Sequence, residues 1–457
     1  MKLAPSPYRV ILCLVLLSLI ALPVLAQEEP APEPARFLIE KITVQGPKAA
    51  PANIVRAETL LKEGESYTED QLRQAVYRIH RLPFVLVASF SLRKGSERGA
   101  YELLIEVEPA RWFFYDHWMR GFQFDEPLDL DATFQRELDS SFDLGGLVGA
   151  RLFVGRSGVV FAALDSEEGG QIGFTQYDLL GRGIIASAGA SRNLCCLQEV
   201  LPLGLDPTFA SWTYEESTRL SVGLSIPLGG RQSIQVALSE RRGEALDRDP
   251  VFLTRDFSGF TLENGDLEHR RAEAKWVYDT SDDPLFPTRG VSASAGLEAS
   301  HFEAGNLRAF RFSGPEEEVR NLPAYEAEQV VAAVSGIRHW SVTPRQTVSV
   351  TGRLAVGQSR IENLLVDDNV RPATNLDLYS GSVGVQHAVT VYRSREAGNA
   401  SDLRLESGVE VGEERVDPAF AVDPLERLQI WTGLVFRHPW GRIRLMLSYL
   451  DVGEVFR

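Results

Sequence analysis

Apolar and polar residues alternate along the second two thirds of the chain. In the segment 217–226 every second residue from Leu220 to Ile226 is apolar, and the residues between them are serine, glycine or arginine. A period of two places the apolar and polar side chains on opposite faces of a β-strand. The same alternation recurs in the segments 233–239, 347–356, 382–392, 402–412, 428–437 and 442–450. The pattern predicts long antiparallel strands with one apolar face each.

The connections between these strands alternate in length. Short turns with glycine or proline are predicted at 181–183, 227–231, 282–290, 343–345 and 438–441. Longer polar loops are predicted at 193–214, 241–268, 303–323, 359–380 and 413–426. A soluble sandwich would have shorter strands, whereas short turns at one end and long loops at the other are typical of a transmembrane β-barrel. We therefore predict a mainly β fold, with an antiparallel barrel of about 14–16 strands, even in number, over residues 149–457.

A smaller unit with a different pattern precedes the barrel, over residues 37–109. A capping box from Thr68 to Gln71 predicts the start of a helix, because each residue's side chain can bond the other's backbone N–H group. The predicted elements are a strand at 37–46, a helix at 52–62, a second helix after Thr68, and strands at 84–94 and 100–107. This β-α-α-β-β order predicts a small α+β domain.

The first 26 residues have the pattern of a secretory signal peptide. Lys2 and Arg9 precede an apolar run, and the small residue Ala26 marks the expected cleavage site. The alternative is an uncleaved anchor helix. Residues 27–36 are proline-rich and predict an extended linker. No later segment approaches the roughly 18 continuous apolar residues of a transmembrane helix, which excludes a helical membrane protein as the class.

Composition and motif content argue against several classes of function. The formal net charge of −16 argues against nucleic acid as a partner. Cys195 and Cys196 are the only cysteines beyond the predicted signal peptide, and two adjacent cysteines do not form a disulfide framework. The seven histidines are scattered without the spacing of metal ligands, and no nucleophile, zinc or phosphate-loop motif is present. We expect no enzymatic activity, no cofactor and no metal site.

The segment 110–148 joins the two units and is rich in aromatic residues at 111–119. Aromatic residues are common where a chain meets a membrane interface, and they are equally suited to the core of a connecting segment. The segment is thus predicted to be either a joining segment or the first barrel strand.

Several motifs resemble one family. The turn Asp-Asp-Pro-Leu-Phe-Pro-Thr-Arg-Gly at 282–290, between two alternating strands, resembles the periplasmic turn of the outer-membrane assembly-factor superfamily, BamA/TamA-like and of the surface-antigen type. The unit at 37–109, with Gly-Glu-Ser-Tyr-Thr-Glu-Asp-Gln at 64–71, resembles a POTRA domain. The hairpins at 172–183 and 433–444 resemble early and late hairpins of the same family. The resemblance implies a POTRA domain followed by an outer-membrane barrel.

The resemblance also implies roles for particular residues. The edge of the POTRA domain would receive an extended substrate as an added strand. In the barrel, Val370 and Arg371 would belong to a loop that folds into the lumen, where Arg371 would pair with Glu410 of the wall. The residues assigned to substrate pairing are Phe84, Val85, Leu86, Val87 and Phe90, and those assigned to the periplasmic turn are Phe286, Pro287, Thr288, Arg289 and Gly290.

The function implied is the insertion or transport of β-rich polypeptides through a barrel that opens laterally between its first and last strands. The expected location is the cell outer membrane, with the POTRA-like domain in the periplasm. Expected partners are outer-membrane lipid and unfolded outer-membrane or secreted polypeptides, with accessory lipoproteins or periplasmic chaperones as further candidates. Two alternatives stay open: a passive channel or structural surface barrel that has lost transport, and a two-partner-secretion transporter.

Overall fold

The structure is a computed structural model that describes residues 35–453 with internal gaps. The gaps are 47–51, 121–122, 125–142, 167–168, 194–196, 201–210, 246–259, 264–265, 284–285, 306–307, 314–315, 322–323, 367–368, 395–400, 418–424 and 440. The predicted signal peptide at 1–26, nearly all of the predicted linker at 27–36, and Cys195 and Cys196 lie outside the described residues.

The N-terminal unit is a four-stranded sheet covered by two helices. Its elements are β1 (Arg36–Gln45), α1 (Ala52–Glu58), β2 (Glu65–Thr68), α2 (Glu69–His80), β3 (Val85–Lys94) and β4 (Ala100–Pro109). The strand order is β2-β1-β4-β3, with β1 parallel to β4 and the other pairs antiparallel. The α+β unit is therefore confirmed, with one strand more than the sequence pattern predicted.

Two local features explain the boundaries in this unit. Helix α1 ends earlier than the predicted residue 62, and Leu60 follows it with a positive φ of 56°, which turns the chain out of the helix. Residues 65–68, which precede the predicted second helix, pair with β1 as strand β2. Thr68 then caps α2: its side chain accepts a hydrogen bond from the Gln71 N–H group, and the Gln71 side chain accepts one from the Thr68 N–H group. The capping box is confirmed.

Within the described residues, a further 15 strands form a closed barrel. Its strands are β5 (Phe113–Arg120) with the short β6 (Gln123–Phe124), β7 (Asp143–Val154), β8 (Gly158–Asp165), β9 (Gly169–Leu179), β10 (Ile184–Asn193), β12 (Ser211–Pro227) with the short β11 (Leu197–Val200), β13 (Gln232–Ala245), β15 (Asp266–Asp279), β16 (Gly290–Gly305), β19 (Tyr325–Thr343), β20 (Gln346–Val366), β21 (Asn369–Ser394), β22 (Ser401–Asp417), β23 (Leu425–His438) and β24 (Gly441–Gly453). The strand number lies in the predicted range, but it is odd. The pair that closes the barrel, β24 and β5, is consequently parallel.

The barrel has two different ends. The five short turns predicted from the sequence are all hairpin connections at the end that carries the α+β domain, which we call the near end. At the far end, β14 (Phe260–Glu263), β17 (Arg308–Ser313) and β18 (Glu316–Asn321) form a separate three-stranded sheet from the loop segments. The predicted joining segment contributes β5 and the start of β7, so the alternative of a first barrel strand applies to its described residues.

Alternation along the strands separates the two faces of the barrel wall. Val222 in β12 is 52% exposed, whereas Ser217 on the opposite face is 3% exposed. A cavity of about 1180 Å³ lies within the barrel. One row of its lining follows the strand register around the wall through Gly189, Ser221, Ser239, Arg271, Ser300, Gln329 and Ser359. The predicted polar inner face is therefore present at this level of the lumen.

The inner face becomes apolar toward the far end. Phe302 of β16 and Tyr325 of β19 belong to the inward set, because Leu297 in the other phase of β16 is 61% exposed. Phe302 and Tyr325 are buried, and their ring centroids lie 6.1 Å apart. On this part of the inner face the buried residues are apolar: Leu267, Phe302, Ala304, Tyr325, Ala327 and Ile361.

Among the described residues, neither of the two helices is long and apolar enough to cross a membrane.

Candidate functional site

The α+β domain packs against the near end of the barrel through a shared apolar core. Phe84, which precedes β3, is 1% exposed. Its ring meets Phe153 of β7 edge-on at 5.1 Å and Tyr177 of β9 edge-on at 6.0 Å. Such T-shaped pairs add about 0.5–1.5 kcal/mol beyond the burial of the rings. The core of the domain thus continues into the wall of the barrel and holds the two units together.

Polar contacts surround this core. Arg81 follows α2 and pairs with Asp279 at the end of β15, with 3.2 Å between Nε and a carboxylate oxygen. Burial lowers the pKa of Arg81, and the neighbouring Asp279 opposes this change. Arg231 in the turn between β12 and β13 forms an ion pair with Asp70 of α2. Helix α2 therefore contacts the turns of several barrel hairpins.

A buried ion pair joins the two helices of the domain. Arg78 Nη2 lies 2.7 Å from Glu58 Oε1, and Arg78 Nε donates to the Glu58 carbonyl oxygen at 3.0 Å. Burial raises the pKa of Glu58, and the positive charge of Arg78 opposes this change. The pair fixes α1 relative to α2, so a displacement of one helix is transmitted to the other.

Strand β3 is an edge of the domain sheet, since within the described residues only β4 pairs with it. The predicted pairing residues Val85, Leu86, Val87 and Phe90 lie in this strand. Phe84 lies just before it, in the core between domain and barrel, and its carbonyl oxygen accepts a hydrogen bond from the Ala110 N–H group at 2.8 Å. Phe84 therefore packs between the domain and the barrel, whereas Val85, Leu86, Val87 and Phe90 lie in the edge strand.

His80, the last residue of α2, already contacts this edge. The Ala88 N–H group donates to His80 Nε2 at 2.6 Å, and the same nitrogen lies 2.8 Å from the Ala88 carbonyl oxygen. In an antiparallel pair alternate residues direct their backbone groups away from the partner strand, which is where the ring lies. Either neutral tautomer can satisfy one of the two groups. His80 therefore occupies the edge of β3 at Ala88.

The closing seam of the barrel is parallel. Within the described residues, 441–446 of β24 pair with 115–120 of β5, and 449–450 pair with 123–124. At its start Gly441 packs directly on Tyr115, because a Cβ atom at Gly441 would lie 1.8 Å from the Tyr115 carbonyl oxygen. The described part of the seam therefore begins with close backbone contact.

An ion pair crosses the seam. Arg442 of β24 binds Asp116 of β5 through Nε at 3.3 Å and through Nη2, and Arg444 lies 3.8 Å from the same carboxylate. We expect Asp116→Asn to lower the stability of the folded barrel by about 1 kcal/mol, because both partners of the pair remain partly exposed. Thermal unfolding of the purified barrel measures this change. Glu362→Gln removes the exposed Arg360 pair within β20 and serves as the control; an equal effect of the two would contradict a role for Asp116 in the seam.

The predicted periplasmic turn lies at the near end and is built around two aspartates. The Asp282 carboxylate accepts hydrogen bonds from the Thr288 and Arg289 N–H groups at 2.8 and 3.2 Å, and Asp283 accepts one from the Phe286 N–H group at 2.9 Å. Gly290 has a φ of 113°, and a Cβ atom there would lie 2.5 Å from the Thr280 carbonyl oxygen. Only glycine fits this approach.

The structure does not bring Arg371 and Glu410 together. Glu410 pairs with Gly384 of β21, whereas Arg371 lies thirteen residues earlier in the same strand and pairs with Leu364. At ~3.3 Å per residue the two backbone positions are about 43 Å apart along the strand. The segment 359–380, predicted as a loop folded into the lumen, continues β20 and β21 as a hairpin at the far end. Val370 and Arg371 belong to that hairpin, and Glu410 belongs to the wall of β22.

Sequence reasoning missed the residues that face the turn and the seam: Asp116, Arg393, Asp402, Arg404, Arg437 and Arg442. All six are charged residues close to the near end of their strands. Asp402, Arg404 and Arg437 are also buried, with exposures of 0%, 2% and 6%. Charged residues beside a short turn could have been selected from the sequence, but their partners are too distant along the chain to be inferred.

No curated protein matches the chain. Three solved structures with low similarity are BamA from Haemophilus ducreyi lacking POTRA domains 1–3 (10% identity, 86% of this chain and 80% of that chain, TM-score 0.39), CdiB from Escherichia coli (13%, 96% and 93%, 0.32) and CdiB from Acinetobacter baumannii (9%, 87% and 70%, 0.35). All three TM-scores are below 0.5, so nothing about this chain is concluded from them.

The family match concerns the barrel itself. The sequence pattern of the Omp85 superfamily domain matches residues 164–337, which extend from the end of β8 into β19. This segment contains the turn at 282–290 on which the resemblance to outer-membrane assembly factors was based. Among the described residues no cluster of histidine, cysteine, aspartate or glutamate has the arrangement of a metal site. The barrel thus contains an Omp85 superfamily domain over residues 164–337.

Proposed function

We propose that the protein inserts or transports β-rich polypeptides at the outer membrane, with its α+β domain acting as a periplasmic POTRA domain. The observation that carries the proposal is the edge of β3, which no described strand covers, in a domain packed on the mouth of an Omp85-type barrel. An extended polypeptide can add to such an edge through backbone hydrogen bonds, which recognise strand conformation more than sequence. The residues proposed to pair are Val85, Leu86, Val87 and Phe90.

The parallel seam supports the second step of the proposal, lateral opening between β24 and β5. The described seam pairs are parallel, and parallel pairing is slightly less stable per residue than the antiparallel pairing of the other wall strands. Backbone N–H and C=O groups that lose their partners in lipid cost several kcal/mol each, and an incoming strand can restore the lost hydrogen bonds.

Depletion of the protein tests the function as a whole. We expect other outer-membrane β-barrel proteins to decrease when the protein is depleted, as measured by quantitative proteomics of isolated outer membranes. Loss of a single large secreted protein with an unchanged outer-membrane inventory would favour the two-partner-secretion alternative. An unchanged inventory in a strain that lacks residues 37–109, with the barrel still assembled, would contradict the proposal and leave a passive channel or structural barrel.

Photo-crosslinking tests the receiving edge. A photoreactive amino acid at Ser91, which is exposed on β3, should crosslink unfolded outer-membrane polypeptides in living cells. The matched control is Ser66, which is exposed on β2 at the opposite edge of the same sheet. Equal yields from the two serines would show that β3 has no special role.

His80 should limit access to this edge. We expect His80→Ala to increase the yield of crosslinks from Ser91 several-fold, because one hydrogen bond of about 0.5–1.5 kcal/mol no longer competes with the incoming strand. His80→Gln is the matched variant, since a glutamine side chain can again contact the Ala88 backbone. Unchanged yields with His80→Ala in a folded domain would contradict a capping role.

A further inference from the structure

The turn between β15 and β16 contacts strand β22, which lies four positions away from β16 along the wall. Arg404 of β22 donates from Nη2 to the Phe286 carbonyl oxygen at 2.8 Å and from Nη1 to the Pro287 carbonyl oxygen at 3.3 Å. Three strands, β19, β20 and β21, separate β16 from β22 on the shorter path around the wall. A contact between these elements therefore crosses the mouth of the barrel at its near end.

Two arginines enclose the aromatic ring at the tip of the turn. Phe286 is 1% exposed, and the guanidinium carbons of Arg404 and Arg437 each lie 4.7 Å from its ring centroid. A guanidinium over an aromatic face is attracted by the negative face of the ring, most strongly when both groups are shielded from water. An apolar ring of this kind would be unfavourable in an open aqueous mouth. Its position indicates a preferred closed state.

Charge pairs hold the same tip to the wall. Arg437 Nη1 lies 3.0 and 3.2 Å from the two carboxylate oxygens of Asp283, and its Nη2 binds Asp402. The side chain of Asp402 is fully buried and is also bound by Arg393 Nε at 2.9 Å. This row of alternating charges joins the tip to β21, β22 and β23. Ion pairs that are shielded from water depend strongly on each partner, so removal of one partner weakens the whole row.

The α+β domain contacts the base of the same turn. Arg289 Nη2 donates to the Tyr77 hydroxyl of α2 at 3.2 Å, and Arg81 donates to the Asp279 carbonyl oxygen at 3.0 Å. The turn thus has its tip on β22 and β23 and its base on helix α2. A movement of α2 away from the barrel would pull on the base of the turn.

A barrel of about 16 strands encloses an aqueous channel unless something fills it. The cavity within this barrel shows that the wall alone does not fill the lumen. We propose that the described residues Asp282, Asp283 and Phe286–Gly290 form a latch that closes the lumen at the near end, and that helix α2 releases it when the domain moves. This goes beyond the proposed function, because it concerns ion passage and needs no polypeptide substrate.

Single-channel recording tests the latch. The purified full chain is placed in planar lipid bilayers in potassium chloride, and the open fraction is compared between wild type and the variants Phe286→Ala and Asp283→Ala. We expect the open fraction to rise about tenfold in each variant. This is the change expected when the closed state loses ~1.4 kcal/mol of stability relative to the open state. Arg345→Ala is the control, because Arg345 is exposed in the neighbouring turn between β19 and β20.

A second variant keeps the test decisive if the tip variants fold poorly. Tyr77→Phe removes only the hydroxyl that Arg289 binds, and it lies outside the barrel. We expect it to raise the open fraction by a smaller factor than Phe286→Ala. Folding of each variant is verified by the heat-dependent shift of its band in gel electrophoresis. Wild-type open fractions in Tyr77→Phe and in any folded tip variant would overturn the latch, whatever the depletion experiment shows about transport.

Discussion

Replacement of Gly441 by alanine should separate β24 from β5 and destabilise the barrel. The new Cβ atom would lie 1.8 Å from the Tyr115 carbonyl oxygen and 2.9 Å from the Tyr115 nitrogen, so the two backbones must move apart. Each seam hydrogen bond that is lost costs about 0.5–1.5 kcal/mol, and more if its groups remain without partners in lipid. We expect the folded, heat-modifiable band to unfold at a clearly lower temperature.

Gly336→Ala is the matched control for this experiment. Gly336 lies in β19 within the wall, and the nearest atom to an added Cβ there is the Ser292 carbonyl oxygen at 3.8 Å, an ordinary contact distance. The control should therefore unfold near the wild-type temperature. If both alanine variants behave alike, close packing at Gly441 does not hold the seam, and the choice of β24 and β5 as the opening pair loses its basis.

Phe84→Ala should release the α+β domain from the barrel. Truncation of a buried phenylalanine costs about 3–5 kcal/mol, and here the ring packs on Phe153 and Tyr177 of the barrel. The domain should become susceptible to limited proteolysis near the junction at 110–112, while the barrel keeps its heat-modifiable band. Because the latch is held at its base by α2, the same variant should also raise the open fraction in bilayer recordings.

Phe37→Ala separates loss of docking from loss of domain stability. Phe37 contacts Tyr101 edge-on at 5.5 Å, and both residues belong to the domain sheet. This variant loosens an aromatic pair within the domain without removing a barrel contact. We expect little change at the 110–112 junction in Phe37→Ala. Equal cleavage at the junction in both variants would show that Phe84 acts through the stability of the domain and not through docking.

Features that depend on neighbouring residues were predicted correctly in both units. The capping box at Thr68 and Gln71, the strands on either side of residues 95–99 and the five near-end turns were predicted and are present. Each depends on residues close together in the chain. The addition of β2 was not predicted, because residues 65–68 become a strand only by pairing with β1.

The candidate site was predicted less completely than the fold. The edge residues from Val85 to Phe90 could be selected because the family resemblance places a receiving strand there, and the turn at 282–290 because its two prolines interrupt an alternating pattern. The partners of that turn were not predictable. Arg404 lies 118 residues from Phe286, and nothing in the local sequence relates the two. The expected Arg371–Glu410 pair is the opposite case. The family resemblance suggested a contact, but the strand register places the two residues far apart.

The sequence by itself determined that the chain forms a barrel with an α+β domain before it. Period-two alternation sets which face of each strand is apolar, and this is a property of each strand alone. Only the tertiary structure decided the odd strand number of the described barrel with its parallel seam, the continuation of 359–380 as a hairpin, and the position of Phe286 between Arg404 and Arg437. These features depend on how many strands close the wall and which residues then face each other across it, and both are set by the whole chain.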